Sequence, residues 1–173
     1  FVPGKNEPKM GLKGSVTSAL SLENCRVPAQ NILGKEGEGF RQMLITLDAG
    51  RISIGAMALG LAQAAFDEAT RYAKERVQGP DMTQMTDKTA PRVEIIRHPD
   101  VRRMLMMQKA HVEGMRALLY YTGWVQDQAM RFPDDPSWLK LDDFLLPLVK
   151  GYSSEKAYEL LATSLQVFGG YGY

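Results

Sequence analysis

Few side chains in this sequence are spaced to do chemistry, and most candidates stand alone. Asp48 and Arg51 are three apart in LDAGR, so a helix puts them on one face, where they pair with each other or meet an anionic ligand. His98 and His111 are the two histidines and Cys25 the one thiol; these do not make a zinc set, and a lone cysteine has no internal disulfide partner. Both histidines read as solvated or hydrogen-bonded structural positions. The acidic pairs Asp134/Asp135 and Asp142/Asp143 lie beside a Pro-rich turn and at a predicted helix start, so they read as caps before they read as a carboxylate site. Met104, Met106, Met107 and Met115 read as core filling. Gly169, Gly170 and Gly172, in FGGYGY, end a helix and turn the chain sharply, and glycines so close together also let a backbone approach a ligand. The residues alone show no nucleophile, metal site or general base.

Helices must position these groups. The stretch from Leu44 to Gly79 reads as one long helix, entered at about Gly39 or Phe40. Between Arg51 and Asp67 it carries no charge, and a helix apolar on every face is expected to be buried on every face. The uncharged run of 15 residues is shorter than a bilayer requires, so other helices are its expected cover. Gly55 and Gly60 cost about 1 kcal/mol each relative to Ala, which close approach of a neighbouring helix would offset. Asp67 and Arg71, four apart, form a favourable pair where the helix leaves the core, and Gly79-Pro80 stops it. Residues 79 to 97 read as a long loop, of the length that is often functional. A second helix begins at His98-Pro99-Asp100 and buries Val101, Met104, Leu105, Gln108, Val112, Met115, Leu118, Leu119, Thr122 and Val125. A third runs from about Asp142 to Phe168 with Pro147 in its first turn and Leu145, Leu148, Val149, Tyr152, Leu160, Leu161 and Leu165 inward.

Residues 1 to 36 differ from the rest. Gly, Pro, Ser and Asn are frequent, and Leu20 and Leu22 alternate with Ser21 and Glu23 as in a half-buried strand ended by Pro28. The expected class is mainly α, an antiparallel helical bundle in residues 37–173 preceded by the end of a β domain in 1–36. Three helices leave the hydrophobic cover incomplete, so a further helix is expected from outside this sequence or from another subunit. Over 173 residues, 21 basic and 20 acidic side chains leave a net charge of +1, which gives no electrostatic reason to expect nucleic acid or a membrane surface. Without a visible signal or transmembrane segment, a cytoplasmic location is the expectation. The chain opens at Phe1 and closes at Tyr173 just after a glycine-rich turn, as an excised piece of a longer protein would.

The sequence resembles the acyl-CoA dehydrogenase family along its whole length. The matching stretches are SVTSALSLENCRVPAQNILGKEGEGF, at the end of that family's middle β domain, LDAGRISIGAMALGLAQAAFDEATRYAKERVQG, its first bundle helix, and LQVFGGYGY near the far end. GPDMTQMTDKTAPRVEIIRHPDVRRM resembles the larger bacterial members that act on fatty acyl-CoA thioesters. The resemblance implies an FAD enzyme of fatty acid oxidation, in which a Glu removes the α-proton while the β-hydrogen leaves as hydride to flavin N5, giving a trans-2-enoyl-CoA. Medium or long acyl chains are the expected substrates, and an electron-transfer flavoprotein the expected acceptor.

By that resemblance Arg76 reaches the FAD pyrophosphate of a neighbouring subunit, Gln78 meets it two residues on, and Gln166, Gly169 and Gly170 lie against the ADP part. Asp48 and Arg51 resemble a pair beside the CoA adenine and the acyl entrance; a plain helix-face ion pair is the alternative. Flavin contacts shared between subunits imply a homodimer or homotetramer. Where some branches place the catalytic Glu, this chain has Gly50; the other position for it lies just past Tyr173, so the chain carries no catalytic residue and is expected to be inert alone. An acyl-CoA oxidase or flavin monooxygenase of the same superfamily, or a non-catalytic helical interaction module, are the alternatives.

Overall fold

The computed structural model describes residues 1–173 and divides into two units, Phe1–Met43 and Leu44–Tyr173. In the first, β1 (Val2–Asn6) pairs antiparallel with β2 (Ser18–Ser21) in the register Val2 to Ser21 and Pro3 to Leu20. The strand is shorter than its sequence suggested. It stops at Ser21, seven residues before Pro28, and Asn24 follows with a positive φ of 46°. Leu20 and Leu22 alternate as expected but are exposed, because a two-stranded hairpin has no second layer to cover them.

Helix α1 (Gly39–Glu75) begins where the glycine-rich stretch ends. It stops at Glu75 rather than Gly79, because residues 77 to 80 form a strand. The loop expected over residues 79–97 is instead a hairpin: β3 (Val77–Pro80) pairs antiparallel with β4 (Arg92–Glu94), and the turn between them is built on Asp81 and Asp87, each accepting from the backbone N–H two residues on. Helix α2 (Pro99–Arg131) starts at its proline as the sequence indicates. Helix α3 (Pro136–Phe168) starts six residues earlier than expected, since Asp135 caps it by accepting from Ser137 N at 3.0 Å. That hydrogen bonding holds the Asp135 carboxyl below its usual pKa range. Pro147 therefore lies inside α3 rather than in its first turn, and Asp142 and Asp143 are interior residues rather than caps.

Within the second unit the three helices run up, down and up. Gly123 of α2 faces Ile52 of α1, Arg116 reaches Gln63 at 2.5 Å, and Met104 and Leu105 meet Ala69 and Ala73, so α2 descends as α1 rises. Ala58, Leu59 and Ala62 pack with Val112, Met115, Ala157 and Leu160, and Val167 closes the far end against Ala69 and Ala73. Gln108 is buried between α2 and α3, where its Oε1 accepts from Ser164 Oγ at 2.7 Å. The α2 stripe lies inward largely as read; Met104 and Met115 are core, whereas Met106 and Met107 are exposed. On α3 Leu145, Val149 and Leu160 are buried as expected, but small residues, Ser153, Ala157 and Ser164, join them inward while Leu148, Tyr152 and Leu165 are exposed.

Helix α1 departs most from expectation. Only Gly55, Ala58, Leu59, Ala62, Ala69 and Ala73 are buried, while Leu44, Ile45, Leu47, Ile54, Met57 and Leu61 face outward. It is covered on one face, not on all. By length and composition it is also apolar enough to cross a membrane, against the reading from its uncharged run, although its small-residue face packs as a bundle helix does. Arg71 pairs with Glu68 and Glu75, not Asp67, which accepts instead from Gln63 at 2.8 Å.

The two helix glycines are not equivalent. A Cβ at Gly55 would lie 2.5 Å from Val149 Cγ1, so α3 approaches there through the missing side chain; a Cβ at Gly60 meets nothing within 4 Å. Gly55→Ala should therefore destabilise the chain by about 1 to 3 kcal/mol through overpacking. Gly60→Ala should stabilise it by up to about 1 kcal/mol through helix propensity. Urea denaturation reads both, and equal effects would contradict this packing.

Candidate functional site

The two sets of residues singled out by resemblance lie at opposite ends of α1. Arg51 and Arg76 are 25 positions apart, which at 1.5 Å per residue is roughly 38 Å.

At the C-terminal end of α1 the chain makes a cleft of about 340 Å³ lined by Arg76, Gln78, Gly169, Gly170 and five aromatic or aliphatic neighbours that include Tyr72 and Tyr171. Its construction follows from three local features. The Arg76 backbone is held on both sides: its N–H donates to Tyr72 O at 2.8 Å, closing the last helical turn, and its carbonyl accepts from Ile95 N at 2.8 Å, where β4 comes alongside. His98, at the start of α2, donates from Nε2 to Gln78 O at 2.7 Å and ties β3 to the bundle. Opposite, α3 ends at Gly169, whose N–H donates to Gln166 O and whose φ of 57° with ψ of −131° is a conformation only glycine adopts without strain. The chain then turns back so tightly that a Cβ on Gly172 would strike Leu165 O.

Side chains complete the cleft. Tyr72 stacks on Phe168 with ring centroids 4.5 Å apart and meets Tyr171 edge-on at 6.5 Å. The Arg76 guanidinium lies 5.7 Å from the Tyr171 ring centroid, and its Nη2 donates to Gln78 Oε1 at 3.4 Å. Arg76 is the one charged residue in the lining and forms no salt bridge within this chain. An unneutralised guanidinium beside an amide and two glycine peptides, one half-buried and one exposed, is an arrangement for binding an anion. Gln166 does not join it: its side chain is exposed outside the lining, and its carbonyl serves the helix end. Sequence reasoning from residue types missed Tyr72, Ile95, Phe168 and Tyr171. Tyr72 stands four residues before Arg76, a helical spacing that could have pointed to it.

At the other end Asp48 and Arg51 do form the expected pair, with Nη1 to Oδ1 at 3.1 Å, on a half-exposed helix face. Such a pair contributes under about 1 kcal/mol by itself. It has a neighbour the sequence did not predict. Asp142, buried at 9% exposure with Oδ1 unpartnered, faces Asp48, its own neighbour Asp143 and Gln126 of α2. Burial raises its pKa, the nearby carboxylates add to that, and a hydrogen bond from Gln126 offsets part of it. Gly50, between Asp48 and Arg51, offers no side chain to abstract a proton.

The comparisons with known proteins agree with this architecture. The profile of the family described as acyl-CoA dehydrogenase, C-terminal domain, matches residues 37–173, and the chain belongs to the acyl-CoA dehydrogenase family. It is 46% identical over 172 residues to a broad-specificity linear acyl-CoA dehydrogenase of Mycobacterium tuberculosis, an overlap of 96% of this chain and 28% of that protein. It is 33% identical over 173 residues to a short-chain-specific acyl-CoA dehydrogenase of Megasphaera elsdenii, covering 100% of this chain and 39% of the relative. The structure of butyryl-CoA dehydrogenase from Megasphaera elsdenii superposes with a TM-score of 0.79 at 32% identity over 99% of this chain and 39% of that one. A structure described as an electron transferring flavoprotein of Acidaminococcus fermentans matches with a TM-score of 0.78 at 33% identity, over 99% of this chain and 40% of that one. The chain thus spans between a quarter and two fifths of the length of these relatives.

The buried carboxyl gives a pH dependence with a definite sign. The folded state holds the Asp142 proton more tightly than the unfolded chain does, so its contribution to stability is full below the ordinary value of 3.8 and is lost as pH rises through the raised folded-state value. Asp142→Asn, nearly isosteric and uncharged, should be more stable than the parent at neutral pH. The difference should shrink as the pH falls below about 4. Denaturation at both pH values checks this, and a pH-independent difference would contradict it.

Proposed function

We propose that this chain is the C-terminal part of an FAD-dependent acyl-CoA dehydrogenase that oxidises medium- and long-chain fatty acyl-CoA to the trans-2-enoyl thioester. The observation that carries the reading is the convergence of Arg76, Gln78, Gly169 and Gly170 in one cleft, four positions distant in sequence and assigned by resemblance to the same cofactor. The cleft fits the diphosphate and part of the adenosine of FAD: it offers one unpaired cation, an amide and glycine backbone, and it is too small for the whole dinucleotide. When bound, the flavin supplies the hydride acceptor for the acyl β-carbon.

The residues of this chain do the holding. Arg76 neutralises a diphosphate charge through a planar fork of donors, Gln78 directs a second polar contact to the same group, and the Gly169-Gly170 peptides allow the ligand to lie against the backbone. Asp48 and Arg51, at the other end, present a cation to the CoA portion of the substrate, with Asp48 fixing the arginine's orientation. The proton-abstracting Glu, on this reading, belongs to sequence beyond Tyr173, and the remainder of the flavin site to other parts of the protein and to a second copy of it. A homo-oligomer is therefore part of the proposal, as is an electron-transfer flavoprotein for the acceptor. The preference for longer acyl chains rests on the resemblance of residues 79–104 to the larger bacterial members; the relative at 46% identity is named for broad specificity toward linear acyl-CoA, and relatives at 33% and 34% are named as short-chain specific.

Two measurements on the full-length protein test the reading. Its visible spectrum should be that of a flavin and should bleach on anaerobic addition of a long-chain acyl-CoA, with slow reoxidation in air. Arg76→Ala should weaken flavin retention roughly ten-fold or more, the worth of a charge-assisted contact to phosphate, while leaving folding intact. A flavin that fails to bleach would favour an oxygen-using flavoenzyme of the superfamily, and absence of flavin would leave a helical interaction module.

A further inference from the structure

We propose that Tyr171 is a positioning residue for Arg76: its ring holds the guanidinium over the cleft so that the fork of donors faces the cofactor diphosphate. The inference rests on the cofactor reading of the cleft given above.

Arg76 needs such a holder. Its backbone is fixed by Tyr72 O and Ile95 N, but its long side chain leaves the end of a helix, makes no salt bridge within the chain and has only a 3.4 Å contact with Gln78. A carboxylate in this position would neutralise the charge intended for the ligand. An aromatic face does not: it attracts a cation through its quadrupole and leaves every N–H free to donate. Tyr171 supplies that face at 5.7 Å. It is 76% exposed, so packing into the core does not account for its placement. The placement comes from its neighbours. Gly169 turns the chain out of α3, Gly172 turns it back against Leu165 O, and Tyr171 lies between them with its ring edge-on to Tyr72, which is itself stacked on Phe168. The glycine turn thus does two things: it exposes backbone to the ligand, and it carries the ring that orients the arginine.

The test uses the full-length flavin-bound protein, with FAD release on dilution read by flavin fluorescence. Tyr171→Ala and Tyr171→Leu should each weaken retention about two- to five-fold, and Tyr171→Phe, which keeps the ring and loses only the hydroxyl, should match the parent. In an Arg76→Ala background, Tyr171→Ala should add nothing further. Leu restoring retention as well as Phe would show that the residue only packs, and would overturn the proposal. So would an unaltered Tyr171→Ala protein when Arg76→Ala is flavin-poor, a result that leaves the cofactor reading of the cleft standing. Full flavin retention in Arg76→Ala would instead defeat that reading, and this proposal with it.

Discussion

The structure depends on how closely three long helices can approach one another. Helix α1 turns a row of small residues, Gly55, Ala58, Ala62, Ala69 and Ala73, toward α2 and α3, and larger side chains from those helices occupy the space left. This choice fixes where the ends of the helices fall. Because Ala69 and Ala73 let Val167 and Met104 close in, the end of α3 comes beside the end of α1, and the glycine turn after Phe168 faces Arg76. The cleft is a consequence of that packing and is finished by a hairpin, β3 with β4, which is tied to the bundle by hydrogen bonds at Ile95 and His98 and by Ile95 and Ile96 packing on the core of Ala69, Ala73 and Met104.

Elsewhere along α1, Leu44, Ile45, Leu47, Ile54, Met57 and Leu61 stand in the open. Exposed apolar side chains in that number are what the sequence expectation of a further covering helix requires. The family relatives, which are two and a half to more than three times longer, are consistent with that arrangement.

Much of this was legible in the sequence because helical periodicity is strong over long spans. The α2 stripe from Met104 to Val125 and the start at Pro99 were read correctly from spacing and from the preference of proline for a first turn. What failed depended on partners that are distant in sequence. A run apolar on all faces looks the same whether its cover is in this chain or another, so α1 was expected to be buried all round. Asp135-Pro136 carries both a turn signal and a cap signal, and only the fold decides for the cap, which places Pro147 and Asp142 inside α3. The hairpin over 77–94 has no regular alternation to announce it; it forms because β4 brings Ile95 to the exposed carbonyl of Arg76. The site was visible only as a resemblance. No spacing rule joins residue 76 to residue 169, and the aromatic set of Tyr72, Phe168 and Tyr171 emerged only with the fold.

The central claim is that the cleft between Arg76 and the glycine turn receives the anionic half of the flavin cofactor. A crystal structure of the full-length flavin-bound protein tests it most directly. The account predicts the diphosphate within hydrogen-bonding distance of the Arg76 guanidinium, against the Gly169-Gly170 backbone, with Tyr171 still beneath the arginine. A cofactor bound elsewhere, with this cleft filled by solvent, would contradict it.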